Sequence, residues 1–294
     1  MNIAVTAATG HLGGLVVQAL LDQGVPAANI VAVVRNPDKA APLAAKGVTV
    51  RRADYNEPEA LAAALVGVDR VLLVSGLEPN RAEQHRHVVA AARGAGVGLL
   101  AYTSILNADT TTLLLAADHK TTEAAIRDAG VPFVFLRNGW YLEGYTGTLA
   151  KTLERGVILG SAGDGRVSAA ARADYAEAAA AVLTGEGHEN KVYELGGDES
   201  FSMAELAAEV SQQGGTDVVY RDLPVEAYTQ ALVGAGIPEG YAALLADSDR
   251  GIAAGELFTG SGDLHRLIGR PTTPLADAVS AALEADSALR AAAR

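Results

Sequence analysis

Two kinds of pattern alternate over the first 140 residues: short, almost unbroken apolar runs, and longer stretches in which apolar side chains return every three or four positions. The runs read as strands covered on both faces, and the stretches as helices lying over them. Ile3-Ala4-Val5 opens the chain, and Leu15, Val16, Ala19 and Leu20 then repeat at helical spacing. Ile30–Val34 is a second strand, 48–52 a third, 71–74 a fourth, 97–102 a fifth and 133–136 a sixth. Helices fall at about 58–66 and through His85, Val88, Val89 and Ala92. This alternation predicts an α/β fold, a Rossmann-type doubly wound parallel sheet whose ligands bind beyond the carboxyl ends of its strands.

Between the first strand and its helix lies Ala7-Ala8-Thr9-Gly10-His11-Leu12-Gly13. Two small residues and two glycines permit a sharp turn and the close approach of a ligand, and the first N–H groups of the helix suit a pyrophosphate. Such a loop is common in α/β proteins, and the next unit narrows its meaning. The second strand ends in Arg35-Asn36-Pro37, with Lys39 close behind, where a dinucleotide fold meets the adenosine ribose. An acid there holds the 2′-hydroxyl of NAD. An arginine instead fits the 2′-phosphate of NADP, a charge-assisted contact of about 1.5–3 kcal/mol, or about a tenfold to hundredfold preference. NADP(H) is therefore the expected cofactor. Asp54 is placed to accept from the adenine amino group, Ser75 and Gly76 to pass beside the ribose or pyrophosphate, and Asn138 to hydrogen-bond near the nicotinamide. The same residue types also serve as caps and turn formers.

After Trp140 the pattern changes. Segments 141–171 and about 198–265 are richer in glycine, tyrosine and short helices, with strands at 157–159, 192–195 and 218–220 and amphipathic helices at 172–183 and 276–283. The expected division is a dinucleotide-binding core of 1–140, to which 172–197 returns, and a smaller C-terminal α+β lobe of 141–171 and 198–294 on the substrate side. Tyr141, Tyr145 and residues 238–245 are candidates for a substrate wall, with plain packing as the competing role. Gly94 to Gly98 follows a helix and precedes a strand, so it reads as a helix stop, while 160–165 and 255–262 read as surface turns. His85 and His87 point to different faces of one helix, and no metal-binding His/Glu spacing occurs, so no metal is expected.

Composition narrows the partners. The 294 residues carry a formal net charge of -12, which argues against nucleic acid, and no cysteine, which excludes disulfides and thiolate chemistry. Arg35, Lys39, Arg51 and Arg52 are local cations suited to a small anionic ligand. No apolar run reaches membrane-spanning length and no basic leader precedes the first strand, so the expected compartment is the cytoplasm, with no membrane partner. A homodimer is left open.

Several motifs together resemble the NmrA-like atypical short-chain dehydrogenases: Thr6 to Gly13, Val34-Arg35-Asn36-Pro37, Ala53-Asp54-Tyr55, Ala101-Tyr102-Thr103-Ser104, Leu136-Arg137-Asn138-Gly139-Trp140-Tyr141, and Leu267-Ile268-Gly269 with Pro271-Thr272-Thr273. Within that family the chain is most similar to the bacterial type 2 NAD(P)H:quinone oxidoreductases, and similar also to the triphenylmethane reductases. The resemblance implies NADPH bound by Ala7 to Leu12, by Arg35, by the turn of Ser75, Gly76 and Leu77, and by Asn138, Gly139, Trp140, Tyr141, Leu142 and Glu143. It also implies reduction of a quinone.

Two departures stand out. The family's loop usually opens with glycine where this chain has Ala7, which costs about 1 kcal/mol or more if φ is positive. The Tyr-x-x-x-Lys pair of the wider superfamily is absent, and the comparable helix carries His119-Lys120-Thr121-Thr122-Glu123. A ketone would need a positioned acid for its developing alkoxide, whereas a quinone yields a stabilised anion that water can protonate. His119 and Tyr141 are candidates for orienting the acceptor, with a plain helix-surface position the alternative for His119. The competing functions are a non-catalytic NADP(H)-binding redox sensor and a dye, azo or aldehyde reductase.

Overall fold

The apolar runs become strands in the computed structural model, which describes residues 1–292. They are β1 Ile3–Thr6, β2 Ile30–Val34, β3 Thr49–Arg52, β4 Arg70–Leu73, β5 Leu99–Ile105 and β6 Phe133–Asn138. Five more follow: β7 Val157–Gly160, β8 Arg166–Val167, β9 Lys191–Leu195, β10 Phe201–Ser202 and β11 Val219–Asp222. Seven of them pair in parallel in the order β3-β2-β1-β4-β5-β6-β9, the doubly wound sheet expected from the sequence.

Neighbouring residues of one strand enter opposite layers. Ile3, Val5, Ala32, Leu72 and Ala101 pack beneath the helices His11–Asp22 and Arg172–Thr184. Ala4, Val31, Val33, Leu73, Leu100 and Tyr102 pack beneath Pro58–Ala64, Arg81–Ala95 and Ala116–Ala129. Burial on both faces explains why the strands read as unbroken apolar runs rather than as alternation. In Arg172–Thr184 the buried face is built from Ala176, Ala178, Ala179 and Ala180, whose small side chains let it lie close against His11–Asp22.

A third apolar cluster lies apart from the sheet's two layers. Leu142, Leu149, Val167, Phe201, Leu206, Val210, Leu257 and Val279 gather around two small sheets, β7 with β11 in parallel and β8 with β10 antiparallel. Residues 293 and 294, the end of the expected smaller lobe, lie outside the described residues.

Several local expectations shift. Gly96 adopts a left-handed φ of 68° as the C-cap of Arg81–Ala95, and the Val97 N–H closes back on the Ala92 carbonyl at 3.2 Å, so β5 starts two residues later than the apolar run does. Its far end runs on through Thr103 and Ser104, which are buried within the strand. Segments 160–165 and 255–262 are not plain surface turns. Ser161 donates its N–H to the Asp249 carboxylate at 2.8 Å, and the Leu257 carbonyl accepts from the Ser168 N–H at 3.0 Å. A Cβ on Gly165 would overlap the Ile252 carbonyl oxygen, a close backbone approach that composition does not reveal.

Candidate active site

The strand order reverses at β1, which has β2 on one side and β4 on the other. Ligands of such sheets bind at that point, beyond the carboxyl ends of the strands. There the structure has a cavity of about 350 Å³, whose lining includes Ala7, Thr9, Gly10, Arg35, Asp54, Ser75, Gly76 and Leu77. Sequence reasoning named all eight. Asn36, Lys39, Tyr55, Glu78 and Gln84 also line it, with Val33, Ala53 and Val74.

The loop is held by backbone contacts. Gly10 donates its N–H to the Ala7 carbonyl at 2.8 Å, and a Cβ on Gly13 would overlap that same carbonyl oxygen. Gly13 therefore lets the helix begin directly against the turn. No side chain caps the helix at Gly10, so its first amides are left to a ligand or solvent. Ala8 and Leu12 are buried and anchor the turn to the core, whereas Thr9, Gly10 and His11 are exposed. Ala7 takes a φ of 48°, the strained case for an L residue.

Tyr55 forms part of the wall. Its hydroxyl lies 2.5 Å from Thr6 Oγ1 and donates to the Val74 carbonyl at 2.9 Å, while the Val74 N–H donates to Thr6 Oγ1. The ends of β1 and β4 are thus tied together under the opening. Asp54 lines the cavity, and its Oδ1 also accepts from the Asn56 N–H and side-chain amide, closing a turn. Ser75 donates its N–H to Thr103 Oγ1 at 2.8 Å.

The segment after β6 is held by a buried charge. Arg137, 2% exposed, pairs with Glu123 at 2.7 Å, Asp109 at 2.7 Å and Glu194 at 2.9 Å. Burial pulls its pKa down, and hydrogen bonds to Glu123, Asp109 and Glu194 overcome that and raise it, so the cation is permanent. Glu123 also accepts from Ser104 Oγ at 2.6 Å. Removing one partner of such a network strands a buried charge, a loss of about 3–5 kcal/mol.

Asn138 follows, buried, with an Oδ1 that has no hydrogen-bond partner among the described residues. The rest of the stretch serves the fold more than a ligand. The Gly139 N–H donates to the Leu195 carbonyl, Trp140 packs on the third cluster, and Leu142 is buried in it. Glu143 accepts from the Arg172 N–H at 3.0 Å and so caps the helix Arg172–Thr184. None of residues 138–143 lines the cavity at Arg35.

Of the two acceptor-orienting candidates, His119 requires correction. It is neither at the helix surface nor on the cavity wall: Nδ1 lies 2.7 Å from the Tyr102 hydroxyl inside the core, and burial, with Arg81 and His85, lowers its pKa to about 3. His85 is likewise buried and neutral, its Nδ1 2.9 Å from Thr122 Oγ1. Tyr141 is half-buried, with the Arg172 guanidinium 4.9 Å over its ring and Tyr175 edge-on at 5.4 Å. Burial raises its phenol pKa against the opposing effects of Asn138 and Arg172, so it stays protonated at neutral pH.

Comparison with known proteins shows the family. The model of the NmrA-like family matches residues 1–261. The chain belongs to the NmrA-like family. It is 51% identical over 279 residues to quinone oxidoreductase 2 of Escherichia coli, covering 95% of this chain and 97% of that one. The crystal structure of that NADPH-dependent enzyme with NADPH superposes with a TM-score of 0.93, covering 95% of this chain and 99% of the other. Triphenylmethane reductase of Citrobacter sp., solved with NADP(H), is 44% identical with a TM-score of 0.91, covering 96% of this chain and all of that one.

Sequence reasoning missed a buried polar group beside the third apolar cluster. Asp249, on the helix Glu239–Ala253, is almost fully buried, and burial raises its pKa to about 6 despite the Ser161 N–H, with Asp222 adding to the rise. Burial, and after it the Asp249 charge, raises the pKa of Tyr145 and Tyr228, and the buried Tyr145 hydroxyl has no partner among the described residues.

Two outcomes follow from this geometry. Ala7→Gly trades unfolded-state entropy for relief of the positive φ, and a net gain of about 0.5–1 kcal/mol in urea unfolding is expected; a loss of about 1 kcal/mol, as for an ordinary Ala→Gly, contradicts the strain. Because the folded Asp249 binds its proton more tightly than the unfolded one, stability falls as pH rises from about 4 through about 6 and stays reduced above that range. Unfolding titrations should find the stability of Asp249→Asn relative to the parent rising by about 2–3 kcal/mol across that window; a difference independent of pH contradicts the buried carboxyl.

Proposed function

We propose that the protein is an NADPH-dependent quinone reductase. The observation that carries this reading is one cavity that joins an uncapped helix N-terminus to the Arg35 guanidinium, in a chain half identical to a quinone reductase solved with NADPH. The residues present fit the cofactor. Free amides at His11–Asp22 suit a pyrophosphate, Arg35 with Lys39 suits a 2′-phosphate, and the orphaned Asn138 oxygen suits a carboxamide donor.

In this reading His11, Leu12 and Gly13 present their amides to the pyrophosphate, Thr9 and Gly10 shape the turn that brings it there, Asp54 faces the adenine, and Ser75, Gly76 and Leu77 border the ribose. Asn138 and Tyr141 position the nicotinamide end, with Ala7, Ala8, Gly139, Trp140, Leu142 and Glu143 supporting the backbone around them. Bound NADPH supplies a hydride. The smaller lobe, 141–171 and 198–292 of the described residues, closes over the cleft, and Tyr141, Tyr145 and residues 238–245 form the acceptor wall. No protein acid is required, because a quinone leaves an anion that water protonates; His119 is buried and Tyr141 holds its proton. Holding two planar rings in contact supplies most of the acceleration. The net charge of -12 argues against a nucleic-acid partner.

A dye reductase is the second reading, favoured by the likeness to triphenylmethane reductase. An acceptor screen with NADPH separates the possibilities. Benzoquinones and naphthoquinones should oxidise NADPH at least about a hundredfold faster with the protein than without it, and faster than triphenylmethane dyes or ketones. Faster turnover of a dye favours the second reading. NADPH binding without acceleration by any acceptor makes the protein a sensor and overturns both.

A further inference from the structure

Arg35 is not alone over the cavity. Its Nη1 lies 2.7 Å from Glu78 Oε1, an exposed ion pair reaching from the end of β2 to the segment that follows β4. The other carboxylate oxygen, Oε2, accepts at 2.6 Å from the side-chain amide of Gln84, which is 3% exposed on the helix Arg81–Ala95. Glu78, Gln84 and Arg35 all line the same wall. The two contacts differ in kind. The Arg35 pair is solvent-exposed and therefore easily exchanged, whereas the buried Gln84 amide fixes where the carboxylate sits. A phosphate is the stronger partner for a guanidinium, so Arg35 can change anions while Glu78 stays in place beside it.

Two opposed determinants then share one subsite. A cation at the end of β2 suits a 2′-phosphate, and a carboxylate beside it suits a ribose whose 2′-position carries only a hydroxyl. We propose that Glu78 is a specificity-determining residue that lowers the preference set by Arg35: it repels the 2′-phosphate of NADPH and accepts from the ribose hydroxyls of NADH, so that both cofactors are usable. The inference rests on the assignment of Arg35 to the 2′-phosphate made above.

The test is equilibrium binding of NADPH, NADH, 2′,5′-ADP and 5′-ADP to the parent, Glu78→Gln and Arg35→Ala, which needs no turnover. Gln keeps an acceptor for Gln84 and removes only the charge. Glu78→Gln should tighten NADPH and 2′,5′-ADP by about fivefold to tenfold and weaken NADH by about twofold to fivefold, a clear rise in the NADPH/NADH ratio. An unchanged ratio overturns the proposal, and so does weaker NADPH binding, which would make Glu78 a support for Arg35. Arg35→Ala checks the underlying assignment separately, since it should abolish the discrimination between 2′,5′-ADP and 5′-ADP. Equal losses for those two ligands would refute the 2′-phosphate assignment itself, whereas a selective loss with a silent Glu78→Gln would refute only the role of Glu78.

Discussion

The site depends on a contact between two pieces of backbone. The helix His11–Asp22 starts so close to the turn after β1 that any Cβ on Gly13 would overlap the Ala7 carbonyl oxygen. Only a glycine allows that approach, and the approach aims the first amides of the helix over the end of the sheet, where the strand order reverses. Close packing continues behind it, in the alanine face of Arg172–Thr184, so the helix is held from both sides. Ala7 carries the cost, with a φ that glycine would adopt freely.

Electrostatics divides the labour between the two ends of the cleft. At the Arg35 end the groups are exposed and exchangeable, as the Arg35–Glu78 pair illustrates. At the end of β6 the cation is buried and fixed: Arg137, held by Glu123, Asp109 and Glu194, locks the strand end from which Asn138 projects. An acidic protein can thus hold an anionic cofactor, because what matters is the local cation and the aligned amides rather than the net charge of -12.

Much of this was legible in the chain. Strands buried on both faces announce themselves as runs such as Ile30–Val34, and the loop and Arg35 sit at fixed offsets from the first two strands, so local sequence places them. What was not legible depends on residues distant in sequence. Glu78 meets Arg35 from 43 positions away, and no local pattern distinguishes it from an ordinary surface acid. His119 reads as a helix residue of either face until β5 brings Tyr102 beneath it. Asp249 carried no signal of its own, because what buries it is segment 160–165, 88 positions away, whose Ser161 amide folds onto it. The Tyr-x-x-x-Lys gap was visible, but its meaning came from the chemistry of the acceptor rather than from the residues.

The account requires one cofactor pose. A crystal structure of the protein soaked or grown with NADPH tests it directly. The pyrophosphate should lie on the amides that follow Gly10, with the 2′-phosphate on the Arg35 guanidinium and the nicotinamide carboxamide against Asn138. A cofactor bound elsewhere, or one whose 2′-phosphate points away from Arg35 into solvent, would contradict it.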